Sequence, residues 1–350
     1  MNAALRGAAT PDGVVGLLAN PASGKDVRRL VARASVFDNE EKAAIIARAL
    51  IGAVEAGARR FAYLDDRHGI VAGAVAGALT DHATNVEAEP VQAMRTSSAL
   101  DTTSAARALA DAGCGAVITL GGDGTNRAFC LGWLDAPLVP VSTGTNNVFP
   151  NLGEATVVGA AAGLVATGRV ALDEVATQEK VVRVSIDGEA DDLALVDAVL
   201  TRERFVGARA LLAPEELELM LLTRADPAAV GMTSIGGLLE PLEPSEDAAL
   251  LVRTGAGGVT VRAPIAPGLY ADVPVAEIRR AALGEEIEVQ GPGVLAFDGE
   301  RERTLAKGQR ARLRVERAGP RVIDVRRTLQ VAAERGCYRG EAPTRLRARG

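Results

Sequence analysis

A single apolar run that ends in a glycine-rich acidic turn limits the folds open to this 350-residue chain. Gly115-Ala116-Val117-Ile118-Thr119-Leu120 has the length and content of a buried strand, and Gly121-Gly122-Asp123-Gly124-Thr125 follows at once. A helix-like segment over about 125–133 comes next, so the run reads as strand, turn and helix. Glycine lacks a Cβ, which lets backbone N–H groups approach phosphate oxygens closely. The lone acid, Asp123, suits the transfer of a proton from a hydroxyl beside that phosphate. Asp-Gly is also a common turn dipeptide, and glycine often serves packing alone at such junctions.

The alternation extends on both sides. Residues 13–20 read as a strand, 39–56 as a helix with Asp38 or Asn39 as N-cap, and 61–64 as a strand. Residues 70–79 read as a helix and 85–89 as a strand. A helix capped by Asp101 runs to Ala112, a strand covers 138–142, and a helix covers 154–166. Strands alternating with helices over some 165 residues specify a parallel sheet covered on both faces.

Beyond residue 168 the pattern changes. Short β-rich runs at 181–186, 249–253, 258–262, 286–289, 293–297 and 311–316 are punctuated by Gly and Pro. They specify an antiparallel sandwich-like domain. The expected organisation is therefore an α/β nucleotide-binding domain over 1–168 and a β-rich substrate domain over 169–325. A helix and tail over 326–350 would pack back on the first domain. Arg310, Arg312 and Arg314 alternate with apolar residues, as on a strand with one wet face.

Composition narrows the function. Net charge is −6 and aromatics are 3%, which argues against nucleic-acid binding and against an aromatic membrane belt. No apolar stretch has the length of a membrane span. Three cysteines without CxxC spacing suit free thiols in a reducing cytoplasm. Two histidines, His68 and His82, lie in no recognisable motif for a zinc site or a Ser-His-Asp triad. A homo-oligomer, dimer or tetramer, binding small nucleotides is expected.

Three further loops accompany the acidic turn. Asn20-Pro21-Ala22-Ser23-Gly24-Lys25 ends the first strand, and its hydroxyl, glycine and ammonium suit a nucleotide phosphate. Ser142-Thr143-Gly144-Thr145-Asn146-Asn147 follows the strand at 138–142 and offers hydroxyls and amides to a ribose, a base edge or a phosphate. Each is also readable as a turn satisfying its own backbone. Phe297-Asp298-Gly299-Glu300 places two carboxylates around a glycine, as a hairpin turn does, or as a magnesium or acid–base site would.

Taken in order, Asn20-Pro21-x-Ser23-Gly24-Lys25, Gly121–Thr125, Gly144-Thr145-Asn146-Asn147 and Asp298-Gly299-Glu300 resemble the NAD kinase / diacylglycerol kinase superfamily. The stretches 194–200 and 204–209 are most similar to the ATP-NAD kinase branch that includes the acetoin-catabolism X (AcoX) proteins. The resemblance implies an active site between two domains, with ATP as donor, magnesium as metal and NAD as the leading acceptor. It implies Asp123 as the catalytic acid–base, with Gly121, Gly122, Gly124 and Thr125 as its phosphate frame. Asn20, Ser23 and Thr145 would match nucleotide positions, and Asp197 an acceptor position. Asp298 and Glu300 are the candidates for magnesium. Two departures bear on the acceptor. Val196 stands where the amide of an Asn-Glu pair is expected before Asp197, and Asn126-Arg127-Ala128 replaces the pair that lipid kinases carry. A small diol, an acetoin-like metabolite or a lipid remain alternative acceptors, and a non-catalytic nucleotide sensor a different class.

Overall fold

A computed structural model describes residues 13–24, 38–82, 85–144, 146–202 and 214–339. Lys25, Thr145 and the stretch 204–209 lie outside them. The first half alternates as its pattern specifies: β1 (Val14–Ala19), α1 (Asn39–Glu55), β2 (Arg60–Leu64), α2 (Ile70–His82), β3 (Glu87–Val91), α3 (Ala99–Asp111), β4 (Cys114–Gly121), α4 (Asp123–Cys130), β5 (Pro137–Ser142) and α5 (Ala155–Ala166). These strands lie in the order β3-β2-β1-β4-β5, all parallel. Both faces of β1 and β4 are buried, as expected of a parallel sheet covered by helices. Val15, Leu17, Ile118 and Leu120 pack with Ile46 and Leu50 of α1 and Leu164 of α5. On the other face, Leu18 and Val117 pack with Leu109 of α3 and Phe129 of α4.

Helix α1 is capped by Asp38, whose carboxylate accepts from the N–H of Glu41. The cap of α3 differs from expectation. Ser98 is the N-cap, and Asp101 turns back to accept from the N–H groups of Thr96 and Ser97.

The chain then forms α6 (Leu172–Val175), β6 (Ala176–Gln178), β7 (Val181–Ile186), β8 (Asp192–Ala194), β9 (Asp197–Thr201), β10 (Leu217–Leu222), α7 (Met232–Gly237), β11 (Ala248–Ala266), β12 (Leu269–Ala282), β13 (Glu286–Gln290), β14 (Gly293–Phe297), β15 (Glu300–Leu305), β16 (Arg310–Glu316), β17 (Arg321–Ile323) and α8 (Val325–Glu334). A six-stranded antiparallel sheet, β12-β11-β10-β9-β14-β15, faces a four-stranded one, β13-β16-β7-β8. Leu200, Leu221, Leu251 and Phe297 of the first meet Val184, Val289 and Leu313 of the second in one core. This is the sandwich-like domain that the second half specifies. The runs at 249–253 and 258–262 are one strand, β11, and its long partner β12 carries no alternation that marks it in the sequence.

Strands β6 and β17 join the first sheet, β17 parallel to β5 and β6 antiparallel to β17. Helix α8 follows, and its Val331 and Ala332 enter the first domain's core. Arg310 and Arg312 pair with Asp187 and Arg314 with Glu316, on the wet face of β16. Among the described residues no helix is long and apolar enough to cross a membrane.

Candidate active site

The strand order places the crevice. From β1 the chain winds outward through β2 and β3, then returns to β4 and β5 on the other side. The connections therefore diverge at the carboxyl ends of β1 and β4, where open parallel sheets bind ligands. Three of the four sequence-marked loops leave β1, β4 and β5 at that edge, with Ala19 opposite Leu120 and Gly121 opposite Ser142.

Side chains then tie the loops together. Asn20 Nδ2 donates to Thr125 Oγ1 at 2.8 Å, and its Oδ1 accepts from the N–H of Ala22 at 2.9 Å. Ser23 Oγ donates to the carbonyl of Asn20 at 2.8 Å. Thr125 folds back over Gly121 so closely that a Cβ there would lie 2.5 Å from its side chain. Asn147 Nδ2 donates to Ser142 Oγ at 2.6 Å, and Ser142 Oγ donates to the carbonyl of Gly144 at 2.5 Å. Asn147 Oδ1 would lie 2.8 Å from a Cβ on Gly122. Asn20 thus ties the first loop to the acidic turn, while Ser23 and Asn147 brace their own loops. The backbone N–H groups at the start of α4, from Asp123 to Thr125, have no carbonyl one turn back within the helix.

Asp123 opens α4 and stays partly exposed. Its Oδ1 accepts from the N–H of Phe149 at 2.8 Å and both oxygens accept from the N–H of Val148 at 3.1 Å. Enclosure of the carboxyl by the protein pushes its pKa up to about 6, against the pull of those two N–H groups and the Arg224 guanidinium.

The second domain brings two more acids to this place. Asp298 lies at a hairpin turn with φ of 50° and Gly299 with φ of 77°, the paired left-handed residues of a tight hairpin. Its Oδ1 accepts from the N–H groups of Val196 at 2.7 Å and Asp197 at 3.2 Å, and its Oδ2 from Leu195 at 2.9 Å. Thr223 Oγ1 donates from the other side to the carbonyl of Leu195 at 2.7 Å. Burial pushes Asp298 up to about 7, with Asp123 adding to the shift and the N–H groups and Arg127 opposing it. Asp197 is 7% exposed, and its Oδ1 has no hydrogen-bond partner. Burial, then the charges of Asp298 and Asp123, hold its carboxyl well above the usual range.

Asp298 does not fit the magnesium role expected for it. Both of its oxygens are committed to the backbone at 195–197, and the side chain of Glu300 lies outside the described residues. No group of three or more His, Cys, Asp or Glu among the described residues could hold a metal ion. The hairpin reading of Asp298-Gly299 is the one the geometry bears out.

Residues 15–170 match the ATP-NAD kinase N-terminal domain, and residues 180–318 match the acetoin catabolism protein X C-terminal domain. Acetoin catabolism protein X of Cupriavidus necator is 38% identical over 323 residues, spanning 89% of this chain and 90% of that protein. The chain belongs to the acetoin catabolism protein X family. Yeast NADH kinase complexed with NADH matches at 12% identity with a TM-score of 0.52, over 95% of this chain and 90% of that one, which shows a shared fold. A diacylglycerol kinase from Bacillus anthracis aligns at 12% identity with a TM-score of 0.49, over 89% of this chain and 96% of that one.

Three residues of this family member were invisible to motif reading. Lys42 is fully buried beneath the first loop, and its Nζ donates to the carbonyls of Asn20, Pro21 and Ser23 and to Asn39 Oδ1. A lysine on the same helical stripe as Ile45, Ile46 and Ala49 was the available signal. Arg127 leaves α4 for the second domain, donating to Leu193 O and Asp192 Oδ1 at 2.6 Å each and lying over Phe297. These Arg127 bonds join the two domains beside the site, and Asp192 also accepts from Arg303. Arg224 comes the other way. It lies over the ring of Phe149, whose N–H holds Asp123, and pairs with Glu179 at 2.6 Å.

Proposed function

We propose that this chain is an ATP-dependent phosphotransferase acting on a hydroxyl, with Asp123 as the acid–base and NAD as the first acceptor to test. One observation carries the reading. A partly exposed carboxylate, oriented by the N–H groups of Val148 and Phe149, stands at the start of α4 in the crevice between β1 and β4. The acceptor hydroxyl gives its proton to Asp123, and its oxygen bonds to the terminal phosphorus of ATP. The bond from that phosphorus to the bridging oxygen breaks, and ADP leaves. The N–H groups at the start of α4 stabilise the charge on the transferred group. Asp123 then returns its proton to water through its exposed side. No step is routed through magnesium, because among the described residues the acids near the cleft do not form a site for it.

Kinship supports the donor and the acceptor class: the match to the ATP-NAD kinase N-terminal domain covers the three loops that leave β1, β4 and β5. A small diol is the second reading, favoured by Val196-Asp197, which offers a single buried carboxyl with one open oxygen where a dinucleotide-holding pair was expected. The test is Asp123→Asn, with turnover followed as ATP consumption over NAD, NADH, diols and diacylglycerol. The variant is expected to keep its fold and bind nucleotide while turnover falls about 100-fold or more. Unchanged turnover refutes the role of Asp123. Nucleotide binding by the native protein without ATP consumption on any acceptor refutes the enzyme and favours a sensor.

A further inference from the structure

The cleft gathers three acids, Asp123, Asp197 and Asp298, and each repels an anionic ligand when it is ionised. A phosphate can enter only if cationic or N–H groups offset them. Lys42, Arg127 and Arg224 are basic side chains close to these loops and turns. Lys42 lies under the first loop and is engaged by four acceptors. Arg127 is engaged by Leu193 O and Asp192. Arg224 is different. One terminal nitrogen pairs with Glu179, but its Nε is buried and has no hydrogen-bond partner.

A buried guanidinium N–H without an acceptor is costly, so the structure holds it there against a penalty. Its surroundings point to the missing group. The guanidinium carbon lies 5.5 Å from the centroid of the Phe149 ring, and the Phe149 N–H is 2.8 Å from Asp123 Oδ1. Asp197 Oδ1 is also orphaned and needs a donor such as a hydroxyl, and Thr143 Oγ1, in the loop after β5, is unpartnered as well. One open donor and one open acceptor flank the same carboxylate.

We propose that Arg224 is a phosphate-binding residue of the cleft, its Nε–H taking a phosphate oxygen from the second domain's side, opposite the α4 N–H groups. This deepens the phosphotransferase reading and rests on it for the location of the site. The phosphate oxygen comes from the donor or from a phosphate-bearing acceptor, and the experiment separates the two.

Arg224→Gln and Glu179→Gln are compared with the native protein by calorimetric titration with inorganic pyrophosphate, ATP, NAD and adenosine. R224Q is expected to weaken pyrophosphate about 10- to 100-fold, the range of a hydrogen bond to a charged group, and to leave adenosine within about two-fold. E179Q, which keeps Nε–H in place, is expected to bind pyrophosphate nearly as the native protein does. A parallel loss in ATP alone assigns the residue to the donor, in NAD alone to the acceptor, and in both to each in turn. Should R224Q fail to fold, R224K gives the same comparison with a loss of about three- to ten-fold. The proposal is overturned if the native protein binds no pyrophosphate, if R224Q binds it unchanged, or if adenosine or E179Q shows the same loss. Because the readout is binding, such a failure leaves the Asp123 turnover test intact.

Discussion

Replacing Asp298 by Asn should flatten the dependence of stability on pH. In the folded protein this carboxyl titrates near about 7, against 3.8 when unperturbed. Between those values the folded state holds the proton and the unfolded state does not. Stability from this group is therefore fully present below about pH 4 and is lost as pH rises through about 7. Three pH units at about 1.4 kcal/mol each give a loss of about 4 kcal/mol. Asn cannot titrate. Its carbonyl can still accept from Val196 and Asp197, but its amide meets the Leu195 N–H that Oδ2 accepts at 2.9 Å. That donor–donor contact costs about 1–3 kcal/mol. D298N should thus be the less stable protein near pH 4, and the gap should close or reverse by pH 8. Removing the charge also relieves Asp197, which flattens the profile further. Urea unfolding from pH 4 to 8 measures this. Parallel curves for native and variant protein, offset by a constant, would refute the argument that a buried ionised carboxylate carries the pH dependence.

Other expectations concern the crevice. A base must be ionised to take a proton, so under the proposed role of Asp123 kcat/KM should rise with pH through about 6, and a flat profile from pH 5 to 8 would exclude it as the base. Gly121→Ala drives a methyl into the branched side chain of Thr125 and breaks its bond to Asn20; a loss of about 1–3 kcal/mol with weakened nucleotide binding is expected in urea unfolding and titration. Lys42→Met leaves three loop carbonyls without their ammonium and should destabilise by about 3 kcal/mol or more, again read by urea unfolding.

The first domain was legible because its signals are local. Buried apolar runs such as 115–120, followed by glycine turns, mark strands whose both faces are covered, and three of those turns meet at one edge because parallel strands end together. The second domain was legible only in kind. β9 and β10 are buried along almost their whole length, so they lack the alternation that marks a strand. β12 carries Pro274 and charges on an edge strand, and its pairing with β11 is set by a partner on another part of the chain. The cap of α3 was misplaced by three residues because Ser98 and Asp101 are both good caps, and only the backbone geometry chooses between them.

By itself the sequence determined that Gly121–Thr125 must join a buried strand to a helix, that Asp123 is the acid at that joint, and that a second β-rich domain follows. These depend on hydrogen bonds and packing between near neighbours in the chain. Tertiary structure alone decided the charges around Asp123. Asp298 reaches its N–H partners about a hundred residues away, Lys42 is buried under a loop some twenty residues before it, and Arg224 arrives from beyond β10 to lie over Phe149. The field at a site is the sum over everything folded around it, and a linear pattern does not state which distant groups those are.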